Sequence, residues 1–176
     1  MIVKDFAFFF INYMLNKTPS RFVRMWFYHI LSGGMISRKA SIGMSVRILD
    51  IRGVKIGKYS NINFGCILDG RGDGVDIGEN VDLAPQVNVW SLEHNPDSHD
   101  YDTRSGKVVI ENNVWIANRA IILPKTHIEH SAVIGAGSVI KGKIDSKSLR
   151  SPGVSPEKRK RKIDASYRLH ALRRFR

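Results

Sequence analysis

Residues 90–107 concentrate side chains that titrate or hydrogen-bond: Glu93, His94, Asp97, His99, Asp100, Asp102 and Arg104 fall within this one stretch. It holds two of the chain's six histidines. An imidazole with an ordinary pKa of about 6.5 is mostly neutral at pH 7 and can take a proton from a hydroxyl. A lone histidine is more often structural than catalytic, so the weight of His94 depends on where the chain puts it. Two histidines at the spacing His94-x-x-x-x-His99 could also form part of a zinc site, which needs a third protein ligand. The one histidine ahead of them is His29, while His127 and His130 come after the stretch.

The elements that must position these groups are announced by a six-residue beat. Ile110, Ile116, Ile122, Ile128, Ile134 and Ile140 form an unbroken series. Six is neither the 3.6 of a helix nor the 2 of a half-buried strand, and it reads as one short strand plus one corner, repeated. Four residues after each aliphatic position the side chain is small or β-branched: Val114, Ala120, Thr126, Ala132, Ser138. The residue just after it is often small too, as in Ile116-Ala117 and Ile134-Gly135, where a corner leaves little room for a Cβ. The same phrase occurs upstream at Ile42-Gly43, Ile56-Gly57, Ile62-Asn63, Ile77-Gly78 and Leu83-Ala84. Three hexads would close one triangular turn of a parallel β-helix, with turns stacking at about 4.8 Å. An α/β domain is the competing reading, and no helical crossover fits between hexads. In such a solenoid residues 90–108 must be a loop thrown off one corner, and loops on rigid scaffolds commonly carry function.

Composition narrows the rest. The chain has 176 residues, one cysteine and a formal net charge of +12. A single Cys66, at a hexad position, excludes an intramolecular disulfide framework and reads as inward packing in a protein of a reducing, cytoplasmic compartment. Residues 1–35 form an N-terminal helical segment, 36–150 the β-helix, and 151–176 a basic helical tail. The N-terminal segment is too short in apolar residues to span a bilayer, which needs about 20, and lacks a small-residue cleavage site. It reads as two helices broken at Thr18-Pro19, with Ser20 a candidate N-cap. Their aromatic residues suit covering the open end of the β-helix, with an interfacial contact at the inner membrane surface as the alternative. Basic residues crowd the tail, but no base-reading motif is present and nucleic acid is not an expected partner.

Several phrases carry a resemblance to a known family: Asp76-Ile77-Gly78-Glu79-Asn80-Val81, Leu83-Ala84-Pro85, His94-Asn95-Pro96-Asp97, Val114-Trp115-Ile116-Ala117, Ile122-Leu123-Pro124 and Ile134-Gly135-Ala136-Gly137-Ser138-Val139. Over about residues 42–139 the chain resembles the hexapeptide-repeat acyltransferases of the left-handed β-helix type, in particular the sugar and polysaccharide O-acetyltransferases of the galactoside and maltose group. The resemblance implies left-handed crossovers, an exception to the right-handed rule, and a homotrimer of parallel prisms with acetyl-CoA in the groove between neighbours. It implies an enzyme that transfers acetyl to a hydroxyl of a sugar or glycan precursor, with His94 as general base.

By the same resemblance Asn63, Glu93 and Asp97 are candidates for contact with the acceptor or the base. Trp115 is expected to line the acetyl site, and Ala117, Ala136 and Gly137 to let pantetheine approach. Lys141, Lys158 and Arg161 are expected at the CoA phosphates, where charge-assisted hydrogen bonds are strong. The sequence departs from the family where lysines should fall: Val139-Ile140-Lys141-Gly142-Lys143 and Gly153-Val154-Ser155-Pro156-Glu157-Lys158 each shift the pattern. Two other functions keep the scaffold: N-acetylation of an amino-sugar nucleotide, and a non-catalytic β-helix binding membrane or a polyanion. Zinc-dependent carbonic anhydrases on the same β-helix are the remaining rival; that resemblance implies a third histidine on an earlier strand, where this chain has only His29 in the helical segment, and no metal is expected.

Overall fold

The computed structural model describes residues 2–152 and the pair 159–160. The chain winds as a triangular prism whose three faces are parallel sheets of very short strands. The first face stacks Val54–Ile56, Val75–Ile77, Val108–Ile110, His127–Ile128 and Lys143–Ile144. The second stacks Ser41–Ile42, Asn61–Ile62, Asp82–Leu83, Trp115–Ile116, Val133–Ile134 and Ser148–Arg150. The third stacks Arg47–Ile48, Ile67–Leu68, Asn88–Val89, Ile121–Ile122 and Val139–Ile140.

Register puts the hexad aliphatics in three inward columns. On the second face Ile42, Ile62, Leu83, Ile116 and Ile134 pair in sequence. The third aligns Ile48, Leu68, Val89, Ile122 and Ile140. Every one of these ten is buried. Each contributes about 1.5–3 kcal/mol by leaving water, while the ladder between coils satisfies the backbone. At the regular corners the residue four further on, from Ala40 to Ser138, is buried inside the corner. Where they are polar they are bonded, as Thr126 Oγ1 is to the Leu123 carbonyl at 2.6 Å.

The corners hold a feature the composition does not advertise. At the regular four-residue corners the backbone turns left-handed three residues after the inward aliphatic: φ is 63° at Gln86, 59° at Arg119, 64° at Lys125 and 59° at Ser131. Such a φ disfavours L-residues other than glycine and asparagine. It persists because corner amides bond from coil to coil, as Arg119 N does to Pro85 O at 3.2 Å. The glycine that follows the aliphatic answers a different need. A Cβ at Gly57 would lie 2.6 Å from the Gly78 carbonyl carbon of the next coil.

Extra residues are confined to the corner between the third and first faces, at 49–53, 69–74 and 90–107. The opposite corner, between second and third faces, stays regular throughout.

The N-terminal segment caps the first coil. Helix α1 (Ile2–Phe9) continues into a π-helical turn (Phe10–Met14) and a 3-10 turn (Leu15–Lys17), and α2 (Arg21–Leu31) starts at Ser20, whose hydroxyl accepts from Val23 N. The first coil has no strand below it, so its outward carbonyls need other donors. Asn12 imitates a strand residue: its amide donates to Ile48 O at 3.0 Å and its Oδ1 accepts from Ile48 N at 2.9 Å. Buried Arg24 donates to Ile42 O, Arg21 to Ala40 O, and His29 Nδ1 to Ile36 O. No helix among the described residues is long and apolar enough to cross a membrane.

The expected helical tail is corrected where it is described. Arg159–Lys160 form a strand antiparallel to Ser148–Arg150, which extends the ladder of the second face instead of starting a helix. The other tail residues from 153 onward, Lys158 and Arg161 included, lie outside the described residues.

Candidate active site

The corner loop folds as a β-hairpin. Leu92–His94 pair antiparallel with Thr103–Ser105, with His94 opposite Thr103 and Glu93 opposite Arg104. Its base is tied down by Gly106 N to Ser91 O at 2.9 Å and by Ser105 Oγ to Asp73 at 2.8 Å. Its tip turns through Asn95 and Ser98, with Asn95 N donating to Asp102 O at 2.7 Å.

His94 is exposed at the end of the hairpin's first strand, and its Nδ1 lies 2.6 Å from the Tyr101 carbonyl oxygen. A carbonyl can only accept, so Nδ1 carries the hydrogen and Nε2 presents a lone pair. That tautomer is what a general base requires. Tyr101 itself turns with φ 51° in the hairpin's return. Sequence reasoning missed this partner, since a backbone acceptor leaves no side-chain signature.

Glu93 takes the opposite side of the strand, as successive residues must. Its Oε1 receives Arg104 Nε at 2.7 Å and Lys141 Nζ at 2.9 Å. These contacts, Lys141 first, hold its carboxyl below the ordinary value. Glu93 is therefore a hairpin anchor in this chain, and Lys141 is its counterion. Asp97 is exposed at the tip, its amide donating to Asn95 Oδ1 at 3.2 Å. His99 is likewise exposed. His127 meets Glu111 at 2.7 Å on the first face, and among the described residues no group of three or more metal-binding side chains forms.

The remaining candidates gather elsewhere. Trp115, 43 % exposed, stands on the second face, and Ala117, Ala136 and Gly137 lie at the edge between second and third faces. A cleft of about 490 Å³ runs there between Phe64, Pro85, Trp115, Ala117 and Arg119. Small side chains at Ala117, Ala136 and Gly137 leave backbone accessible beside it. Arg119, bonded to Gln86 Oε1 at 2.9 Å, adds a cation that the sequence reading did not single out. Asn63, half-buried on the same edge, spends its amide on Leu83 O at 2.7 Å and Asp82 Oδ1 at 3.2 Å, which leaves its own Oδ1 to accept.

The predicted base and the predicted cofactor edge thus occupy different corners of one prism, with the whole third face between them. One chain does not bring them together.

Residues 107–142 match the bacterial transferase hexapeptide (six repeats) family. The galactoside O-acetyltransferase of Lactococcus lactis is 35% identical over 88 residues, which are 48% of this chain and 41% of that protein. This chain therefore spans about two fifths of that relative's length. Among solved structures, a hexapeptide-repeat containing acetyltransferase from Vibrio cholerae, complexed with acetyl coenzyme A, superposes with a TM-score of 0.78 at 20% identity over 96% of this chain and 88% of that one. A maltose O-acetyltransferase from Clostridium difficile gives 0.78 at 23% identity over 93% and 88%. At those identities the two structures speak for the fold alone. The prism and the repeat match agree, and over about half of its length the chain is similar in sequence to galactoside O-acetyltransferases.

Proposed function

We propose that this protein transfers the acetyl group of acetyl-CoA to a hydroxyl of a sugar or glycan precursor, at a site built between copies of a left-handed, homotrimeric prism. The observation that carries the reading is the His94–Tyr101 contact, which places the hydrogen of the neutral ring on Nδ1 and its lone pair on Nε2, on an exposed hairpin. Nε2 accepts the acceptor's hydroxyl proton as that oxygen bonds to the acetyl carbon. The carbon–sulfur bond breaks, and the proton passes from the imidazole to the departing thiolate. Ester and free thiol are the products.

The second–third edge supplies the other half of the site. Trp115 offers an apolar wall for the acetyl group, and Ala117, Ala136 and Gly137 let a pantetheine arm approach the backbone. Arg119 offers positive charge on the same edge. Because His94 sits a full face away, the reaction needs the hairpin of one copy against the edge of the next, which is what a closed ring of parallel prisms provides. Lys158 and Arg161 remain candidates for the CoA phosphates by position in the sequence. Lys141 can serve there only by leaving Glu93. The acceptor class is suggested by the galactoside O-acetyltransferases similar in sequence, whose chemistry favours an ester over the amide of an amino-sugar acetyltransferase.

The test is thiol release from acetyl-CoA with and without an added panel of sugars. Release is expected to depend on the sugar and to fall about 10²–10⁴-fold in His94→Ala. Undiminished turnover in that variant would sink the mechanism, and an amide product would redirect it to amino sugars.

A further inference from the structure

The helices that cap the prism bury one stripe and bare another, and the bared stripe is apolar. In α2, Arg24, Met25 and Tyr28 pack against the first coil. On the other side Phe22, Trp26 and Ile30, four residues apart, are 72%, 43% and 52% exposed. Ahead of them Phe6, Phe9 and Tyr13 recur at helical spacing, exposed by 67%, 51% and 50%. A helix facing water carries polar residues on that side. Phe9 and Tyr13 stack at 5.4 Å, and Phe10 meets Phe27 edge-on at 5.5 Å, which ties the two helical pieces together. Scattered exposed hydrophobics are ordinary, but an apolar end face of this kind marks an interaction surface.

Charge says what it faces. Lys17, Arg38, Lys39 and Arg47 are exposed around the same end of the molecule. Residues 1–53 contain eight lysines and arginines against Asp5 and Asp50, and Asp50 is paired with Arg52 at 2.5 Å. A second copy docked on this end would set the same cations against one another. An anionic lipid surface would instead receive the aromatic rings at the headgroup boundary and the cations at its phosphates. The hairpin and the cofactor edge, which lie further along the prism, would stay clear of it.

We propose that the capped end of this prism docks on the surface of an anionic lipid bilayer, through the exposed aromatic face of residues 6–30 and the basic residues around it. The proposal does not depend on the acetyl-transfer reading, because its test measures partition and not turnover.

The full chain would be sedimented with phosphatidylcholine vesicles, with and without about 30% phosphatidylglycerol. Binding is expected with phosphatidylglycerol, weakening as salt rises. Phe22→Ser/Trp26→Ser should lower the partition about tenfold and Arg38→Glu/Lys39→Glu about threefold, given the apolar and electrostatic shares of interfacial binding. The Arg38→Glu/Lys39→Glu variant should melt as the wild type does, and Phe22→Ser/Trp26→Ser, which gives up the Trp26–Phe27 ring contact, should stay folded at the assay temperature, as a melting curve checks. Three results would overturn the proposal. The wild type could fail to bind either vesicle. Binding could be undiminished in Phe22→Ser/Trp26→Ser, which would move it to the basic tail. Or the double variant could abolish a concentration-dependent assembly while vesicles bind nothing, which would make a second copy the partner.

Discussion

The two corners that flank the third face are made from the same hexad and have diverged in opposite directions. At the second–third edge every coil turns without an added residue, from Gly43 to Gly137, and the result is a continuous edge on which small residues such as Ala84, Ala117, Ala136 and Gly137 alternate with larger ones. The third–first corner takes all of the additions, at 49–53, 69–74 and 90–107. A regular edge can accommodate a long, extended ligand but offers few distinctive groups. An irregular corner can present one well-held imidazole but no groove. Each lacks what the other has, and under the proposed reaction a neighbouring copy would join them.

That comparison breaks most sharply in a mixing experiment. His94→Ala disables the corner, and Ala136→Trp, an exposed position, blocks the edge. Each variant alone should lose at least about 100-fold in acetyl transfer. If sites form between copies in a closed ring, an equal mixture refolded together regains about one quarter of wild-type activity, since that share of interfaces unites an intact hairpin with an intact edge. A mixture no more active than its parts would place both halves in one chain and end the argument for a shared site.

Stability should divide the other way. Ile116 is fully buried in the inward column behind Trp115. Ile116→Ala removes methyl groups from a core one side chain wide, and is expected to cost about 2–5 kcal/mol in a denaturant titration. His94→Ala, on the exposed hairpin, should stay within about 0.5 kcal/mol of wild type. Equal costs would mean that the hairpin is part of the prism's core and not an appendage to it.

A third variant tests how the regular part begins. In the sequence Asn12 looks like an interruption of an apolar run, and in the structure it closes the open end by pairing with both backbone groups of Ile48. Asn12→Ala leaves a buried N–H and a carbonyl without those partners, a loss of about 2–3 kcal/mol by denaturant melting. What could be read beforehand was what periodicity encodes: the inward columns from Ile42 to Ile140, the break that frames His94, the helix stop at Pro19. What could not was whatever depends on backbone direction or on residues far apart in sequence. Left-handed corners at Arg119 and Lys125 carry no marker residue. The Tyr101 carbonyl has no side chain to betray it. Lys141, assigned from the sequence to a phosphate, is claimed by Glu93 across the corner. Cys66 was read as inward packing, and it is buried with its thiol pushed up to about 11 by burial, so it should resist alkylation in the native protein.

The smallest effect concerns the link between the irregular corner and the regular coils. Glu93 belongs to the hairpin and Lys141 to the coil that follows the third face, so their pairing, with Arg104, fixes where His94 stands. Ion pairs this exposed are worth about 0.2–1 kcal/mol each. The Glu93 carboxyl is held below its ordinary value of 4.5, first by the Lys141 hydrogen bond and then by Arg104. A depressed carboxyl stabilises the fold fully above its unfolded pKa, and that contribution is lost as pH falls through the lowered folded value. Glu93→Gln should therefore lower the melting temperature slightly at pH 7 and make no difference well below pH 4.5. A carboxyl titration followed by NMR gives the finer check, because Lys141→Ala should raise the Glu93 midpoint more than Arg104→Ala does. If Arg104→Ala has the larger effect, the hairpin is held from within itself, and the coil below it does not set the position of the base.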